Sequence, residues 1–210
     1  MQTHHPRNRE TATQTEILII GGYHVKHFHS IEEYKNGLAE ILITEEQIEE
    51  AVTKAAKYID DLYDGSPILL VSILKGSVLF LSDICKKVTV PCELGFMRTR
   101  SYFDSTSPVC SVSITMDLDY DISGYHVVII EDIVDTGNTI NEVLKMLRVR
   151  GPRSLRVVTL LDKPSRRVID LNADLSLFTI PDRFVVGYGL DFDEYYRTLP
   201  YIAVLNTEII

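Results

Sequence analysis

The stretch HVVIIEDIVDTGNTINEVLKMLRVRGPRSLRVVTLL, residues 126–161, decides the fold class. The apolar run from Val127 to Ile130 predicts a buried strand, which enters an acidic turn containing Gly137. A helix follows and is ended by Gly151-Pro152, and a second apolar strand runs from Leu155 to Leu161. Strand, helix and strand in this order form a βαβ unit. The sequence therefore predicts an α/β fold with a mainly parallel sheet.

Segments on either side extend this pattern. A capping box, Thr44-x-x-Gln47, opens an amphipathic helix, and the apolar run from Ile68 to Leu74 fits a strand covered on both faces. Residues 77–87 are expected to be helical. Further strands are expected at residues 92–97, 112–116, 184–188 and 202–205.

The same pattern predicts one domain over residues 16–210, preceded by a disordered tail at 1–15. The core is expected at about 44–162. Because the pattern becomes irregular after Lys163, residues 163–210 are expected to join residues 16–43 in a small cap, or hood, over the sheet.

Composition limits the classes of function. The chain has 210 residues, 45% of them hydrophobic, and a net charge of -9, which argues against a nucleic-acid partner. No apolar run reaches the roughly 20 residues that span a bilayer, so no membrane association is expected. The cysteines Cys85, Cys92 and Cys110 are odd in number and widely spaced, which is typical of reduced thiols in a cytoplasmic protein.

The turn Glu131–Thr139 has the residue types of a phosphate site. Gly137 permits tight curvature, so that backbone N–H groups can converge on a phosphate at the start of the helix. Glu131 and Asp132 can hold ribose hydroxyls or hydrated Mg²⁺, and Asp135 is placed to exchange a proton with a bound base. A lone Asp-Thr-Gly is often a generic turn with solvated acids. Its place between a buried strand and a helix favours the binding site.

VVIIEDIVDTGNT resembles the signature of type I phosphoribosyltransferases, whose loop binds the 5′-phosphate of phosphoribosyl pyrophosphate. Four further segments resemble motifs of the hypoxanthine-guanine branch of that family, in the family's order. They are LKGS (74–77), RSY (100–102), LDK (161–163) and FVVGYGLDFDEYYR (184–197). The resemblance spans about residues 31–206 and implies a twisted, mainly parallel sheet flanked by helices, with a hood subdomain.

The resemblance also implies which residues bind the activated sugar. Lys75 and Gly76 would bind pyrophosphate together with Arg197. Family members have a cis peptide bond before this lysine, which corresponds to Leu74–Lys75 here. Glu131 and Asp132 would hold the ribose hydroxyls. The metal would be Mg²⁺, with Glu131, Asp132 and Asp191 as its ligands. The 5′-phosphate would be bound by Asp135, Thr136, Gly137, Asn138 and Thr139.

A second set of implied roles concerns the base and the chemistry. Asp135 would be the general base or acid at N7 of the purine, with Lys75 as a further catalytic group. Lys163 would donate to O6 of a 6-oxopurine. Ser101 and Tyr102 would close over the site as part of a mobile loop at 101–111. Phe184 would stack on the base, and Val185 would contact its edge. Asp191 is also expected among the residues at the purine site.

The function that follows is purine salvage, converting hypoxanthine or guanine and phosphoribosyl pyrophosphate into IMP or GMP and pyrophosphate. Two alternatives stay open: a xanthine-preferring transferase, and a regulatory protein that keeps the fold but binds nucleic acid. Asn138 stands where some members have Lys, and Ser77 where some have Gly, which bears on phosphate affinity. The run His24, His27 and His29 fits a metal site less well than a polar surface. Members of the family are commonly dimers or tetramers.

Overall fold

A computed structural model of the chain describes residues 18–20, 23–25, 30–102 and 111–206. For the two short strands before residue 26, and for residues 31, 101, 102 and 111, it describes the backbone alone. The tail at 1–15, His27, His29 and the loop residues 103–110 lie outside the described residues, so the expectations about them stay predictions.

The described elements are eleven strands, four α-helices and one 3₁₀ turn. They are β1 (Leu18–Ile20), β2 (Tyr23–Val25), α1 (Ile31–Asn36), β3 (Leu38–Ile43), α2 (Glu45–Tyr63), β4 (Ile68–Leu74), α3 (Val78–Cys85), β5 (Cys92–Tyr102), β6 (Ser111–Met116), β7 (His126–Val134), α4 (Asn138–Val149), β8 (Ser154–Asp162), a 3₁₀ turn (Pro164–Arg166), β9 (Leu175–Thr179), β10 (Val185–Val186) and β11 (Ile202–Leu205).

Six strands form the central sheet of the described chain, in the order β6-β5-β4-β7-β8-β9. All neighbouring pairs are parallel except β5 and β6. Helices cover both faces. The apolar residues of α2 and α3 pack on one face, in a cluster with Leu70 and Ile130, and those of α4 pack on the other, with Leu69 and Ile129. Residues 68–73 of β4 and 127–131 of β7 are buried without interruption, because alternate residues enter opposite layers. The expected fold class is confirmed.

Three local expectations match the structure closely. Strand β4 has the expected bounds. The capping box is formed, since the Thr44 N–H donates to Gln47 Oε1 (2.9 Å) and the Gln47 N–H to Thr44 Oγ1 (3.3 Å). The helix after the acidic turn begins at Asn138.

A second sheet of three antiparallel strands, β10-β11-β3, lies at the hood. It joins strands from both of the stretches expected to form the cap. Strand β9 was not expected: it lies within residues 163–210 but pairs with β8 at the edge of the central sheet.

Two expected boundaries were wrong. Strand β7 continues to Val134, so Glu131 and Asp132 lie inside a strand and not in the turn. Strand β5 continues to Tyr102 and pairs with β6, so the backbone of Ser101 and Tyr102 is strand and not loop. Both strands extend beyond their uninterrupted apolar runs, because β5 pairs with β6 and β7 pairs with β8.

Candidate active site

Loops from three neighbouring strands meet at one edge of the central sheet. Lys75-Gly76 follows β4, the Asp135–Thr139 loop follows β7 and Lys163 follows β8. Because β4, β7 and β8 are adjacent and parallel, their carboxyl ends bring these segments together. A cavity of ≈ 250 Å³ opens between the first two of these segments. Among the residues that line it are Gly76, Glu131, Asp132, Asp135, Thr136, Gly137 and Thr139.

Two adjacent carboxyls form the acidic wall of this cavity. Glu131 is only 6% exposed. Its Oε2 atom is buried and has no hydrogen-bond partner among the described residues. Burial, together with the charge of Asp132, raises the pKa of Glu131 well above its usual range.

Asp132, unlike Glu131 Oε2, has a hydrogen-bond partner. Its Oδ1 atom accepts from the Ile133 N–H at 2.8 Å. Burial raises the pKa of Asp132 to about 6, although that N–H and the charge of Arg197 oppose the shift. Burial therefore disfavours the ionised form of both acids, which is a property typical of functional carboxyls.

The start of α4 forms another side of the cavity. Gly137 is the N-cap of α4 and has φ +88°, a conformation that favours glycine. No side chain of the described residues caps this helix end. The Asn138 N–H lies 3.4 Å from Thr136 Oγ1, and the Thr136 carbonyl accepts from the Val168 N–H at 3.1 Å. Gly137, Thr139 and Ile140 at this helix end line the cavity, and a helix N-terminus of this kind can bind an anion.

Asp135 is surrounded by two arginines that the sequence analysis did not single out. Its Oδ1 atom lies 2.9 Å from Arg166 Nε in an ion pair. Its carbonyl accepts from Arg167, which also pairs with Asp162. Arg166 and Arg167 are close because the 3₁₀ turn after Lys163 folds back toward the β7 loop. The only signal in the sequence was the Arg-Arg pair itself.

The residues expected to bind the base lie beside this loop. Lys163 is 6% exposed, and its Nζ donates to the Arg183 carbonyl at 2.6 Å. Burial lowers the pKa of Lys163, while the charge of Asp135 opposes the shift. Phe184 is 46% exposed and makes an edge contact with Phe192, with ring centroids 5.8 Å apart. Val185 is buried and pairs with Val204 in the hood sheet.

A third group of side chains is built on residues 189–197. Arg197 lies 2.8 Å from Asp191 Oδ1 and donates to the Gly189 carbonyl at 2.8 Å. Lys75 reaches the same group and donates to Glu194 Oε2 at 2.8 Å. The Glu194 carboxylate also lies 3.2 Å from Arg197, although its side chain is 63% exposed.

The loop after β4 is packed tightly against its neighbours. The peptide bond Leu74–Lys75 is cis, as the resemblance implied. A Cβ atom at Gly76 would lie 1.6 Å from Asp132 Oδ2, and one at Gly189 would lie 1.8 Å from the Gly76 carbonyl oxygen. Only glycines allow these three segments to approach so closely.

The acidic residues suit Mg²⁺ that arrives with a substrate. No group of three or more His, Cys, Asp or Glu among the described residues is arranged to hold a metal alone. Mg²⁺ does not need such a cage, since it keeps several waters and takes one or two carboxylates with substrate oxygens. The orphaned Glu131 Oε2 and the shifted Asp132 fit that mode of binding.

A larger cavity of ≈ 600 Å³ lies between α2, α3 and residues 188–200. None of the expected site residues lines this larger cavity, so the smaller cavity is the candidate active site.

The side chains of Ser101 and Tyr102 lie outside the described residues, and their role in closing the site stays a prediction. None of the helices in the described ranges is long and apolar enough to cross a bilayer.

Comparisons with known proteins agree with this geometry. Residues 39–193 match the model of the phosphoribosyl transferase domain. The chain is 45% identical to hypoxanthine phosphoribosyltransferase of Salmonella typhimurium over 78% of this chain and 93% of that protein. It is 41% identical to hypoxanthine-guanine phosphoribosyltransferase of Streptococcus pneumoniae, over 83% and 97%. Among solved structures, a hypoxanthine phosphoribosyltransferase from Staphylococcus aureus aligns with a TM-score of 0.81 at 42% identity, over 87% of this chain and 98% of that one.

Proposed function

The chain belongs to the phosphoribosyltransferase family, and on that premise we propose that it is a purine salvage enzyme. It transfers the ribose 5-phosphate group of phosphoribosyl pyrophosphate to hypoxanthine, guanine or both, and releases pyrophosphate. One observation carries the proposal. A helix N-terminus, two poorly partnered carboxyls and a pair of cations converge at one edge of the sheet, beside a buried lysine.

Each part of phosphoribosyl pyrophosphate has a matching surface. The N–H groups at the start of α4 and the hydroxyls of Thr136 and Thr139 bind the 5′-phosphate. Glu131 and Asp132 accept hydrogen bonds from the ribose hydroxyls, which gives the orphaned Glu131 Oε2 a partner. Lys75 and Arg197 bind the pyrophosphate, whose charge grows as it leaves.

Mg²⁺ is the metal implied for the family, and Glu131, Asp132 and Asp191 are the residues that would hold it. When bound, it supplies positive charge to the phosphate oxygens. The protein's own groups then have to orient the sugar, exclude water and place the base.

Base binding follows from Lys163 and its neighbours. Lys163 donates to O6 of the purine in addition to, or in exchange for, its bond to the Arg183 carbonyl. Adenine carries an amino group at that position, so a lysine donor discriminates against it. Phe184 stacks on the ring. As N9 bonds to the sugar, Asp135 takes the proton from N7, and Arg166 stabilises the carboxylate before transfer.

The expected compartment and assembly are proposals of the same kind. Three widely spaced cysteines support a reducing, cytoplasmic environment. A homodimer or homotetramer is expected, with no nucleic-acid or membrane partner, and sedimentation of the purified protein tests the assembly.

The test is a base competition. Purified protein is incubated with Mg²⁺, phosphoribosyl pyrophosphate and each of hypoxanthine, guanine, xanthine and adenine, and nucleotide and pyrophosphate are quantified by chromatography. Turnover of hypoxanthine or guanine supports the proposal. A preference for xanthine would favour that alternative, and retention of nucleic acid without turnover of any base would favour the regulatory protein.

A further inference from the structure

One carboxylate oxygen bridges the two cations of the pyrophosphate site. Glu194 Oε2 lies 2.8 Å from Lys75 Nζ, 3.2 Å from Arg197 Nη2 and 3.4 Å from Arg197 Nε. Lys75 and Glu194 are 119 positions apart in the chain and meet only through the fold. A single oxygen placed between a lysine and an arginine is the arrangement that a phosphate oxygen would also adopt.

The loop that carries Glu194 is held in an unusual backbone conformation. Asp193, Glu194 and Tyr196 have φ values of +52°, +70° and +72°, in the left-handed region that non-glycine residues seldom adopt. Such a conformation persists only where its surroundings determine it.

Contacts at both ends of the loop hold Glu194 and its neighbours in this backbone conformation. The Glu194 N–H donates to Asp191 Oδ2 at 2.9 Å. At the other end the Tyr196 ring stacks on Tyr34 at 4.3 Å, and its hydroxyl donates to the Tyr34 carbonyl at 3.0 Å. The position of Glu194 is therefore a property of the fold, even though its side chain is 63% exposed.

We propose that Glu194 is a competing anion built into the pyrophosphate site, one that pyrophosphate must displace from Lys75 and Arg197 in order to bind. The inference rests on the proposed function of these two cations. Displacement costs two ion pairs and leaves a carboxylate beside a polyanion. Glu194 thereby weakens the binding of pyrophosphate and favours its release, while the cations stay paired and oriented.

The experiment measures pyrophosphate affinity directly. Isothermal titration calorimetry with Mg²⁺ and inorganic pyrophosphate is carried out on the wild type, Glu194→Gln and Glu194→Asp. Glutamine has the same shape without the charge. Exposed ion pairs contribute little each, so we expect Glu194→Gln to bind pyrophosphate roughly 3- to 10-fold more tightly. Glu194→Asp, which keeps the charge, should stay within about 2-fold of the wild type.

A matched control removes the same charge elsewhere. Asp61 forms an ion pair of the same 2.8 Å length with Lys57 on α2, and its side chain is 65% exposed. Asp61→Asn should leave pyrophosphate affinity unchanged. Equal tightening in Asp61→Asn would overturn the proposal, because net charge would then explain the effect. Unchanged or weaker binding in Glu194→Gln would overturn it too.

The outcomes separate this inference from the proposed function. A wild-type protein that converts hypoxanthine while Glu194→Gln binds pyrophosphate no better refutes only the role of Glu194. Wild-type protein that neither binds pyrophosphate nor converts a base refutes the assignment of Lys75 and Arg197, and with it both proposals. GMP affinity gives an internal check, because GMP carries no pyrophosphate and should bind equally to the wild type and Glu194→Gln.

Discussion

Replacing Asp132 by Asn should make the protein more stable at pH 8 and not at pH 4. The carboxyl sits in the cavity wall with a pKa raised from 3.8 to about 6. Asparagine has nearly the same shape and keeps an oxygen for the Ile133 N–H. The substitution therefore removes the charge and little else.

The sign follows from the two pKa values. Below pH 4 the carboxyl is protonated in both the folded and the unfolded chain, so it contributes nothing. Between pH 4 and pH 6 the unfolded chain loses this proton first, and the stability of the wild type falls. Above pH 6 the carboxyl is ionised in both states, and the wild type carries the full free-energy cost of a buried carboxylate. A shift of about 2 pKa units corresponds to about 3 kcal/mol.

Partial solvent contact of Asp132 reduces the expected effect to about 1–3 kcal/mol. For a domain of this size that is a rise in Tm of roughly 2–10 °C at pH 8. Thermal and urea unfolding of the wild type and Asp132→Asn at pH 8, 6 and 4 measure it, with Asp61→Asn as the exposed control. A variant no more stable than the wild type at pH 8, or a gap of equal size at pH 4, would refute the reasoning.

Three further substitutions test the site. Asp135→Asn should lower kcat by about 10²–10⁴-fold if it transfers the N7 proton, with phosphoribosyl pyrophosphate affinity nearly unchanged; undiminished turnover would remove the acid-base role. Lys163→Ala should weaken hypoxanthine binding by about 10-fold or more, because a base oxygen loses its donor. Equal affinity in calorimetry would contradict the O6 contact. Gly76→Ala should abolish pyrophosphate binding, since its Cβ would lie 1.6 Å from Asp132 Oδ2; normal affinity would show that the loop can move aside.

Local signals predicted the parts of the fold that local interactions determine. The bounds of β4 follow from an apolar run, and the start of α2 from two side chains within one turn. Strand β3 was missed because its partner, β11, lies more than 150 residues away in the chain. Glu131 and Asp132 were assigned to a turn because acids rarely occupy a central strand, yet both lie in β7 and Glu131 is buried there.

The candidate site also has parts that depend on local sequence and parts that depend on long-range contacts. The loop at 135–139 could be proposed as a phosphate site from the sequence because its residues are contiguous, and the structure places most of them around one cavity. The ion pairs of Asp135 with Arg166 and of Lys75 with Glu194 could not, because each depends on how separate loops fold back over the sheet. Motifs predicted which residues would bind substrate, and only the tertiary structure revealed the ion pairs that these residues make.

The half-exposed ring of Phe184 also offers a way to observe the base directly. The chain contains no tryptophan, so Phe184→Trp would introduce a single indole fluorophore where a purine is expected to stack. Covering such an aromatic surface removes apolar area from water, which gives association a negative heat-capacity change. Emission and calorimetry on one protein would then report the same contact by independent physical signals.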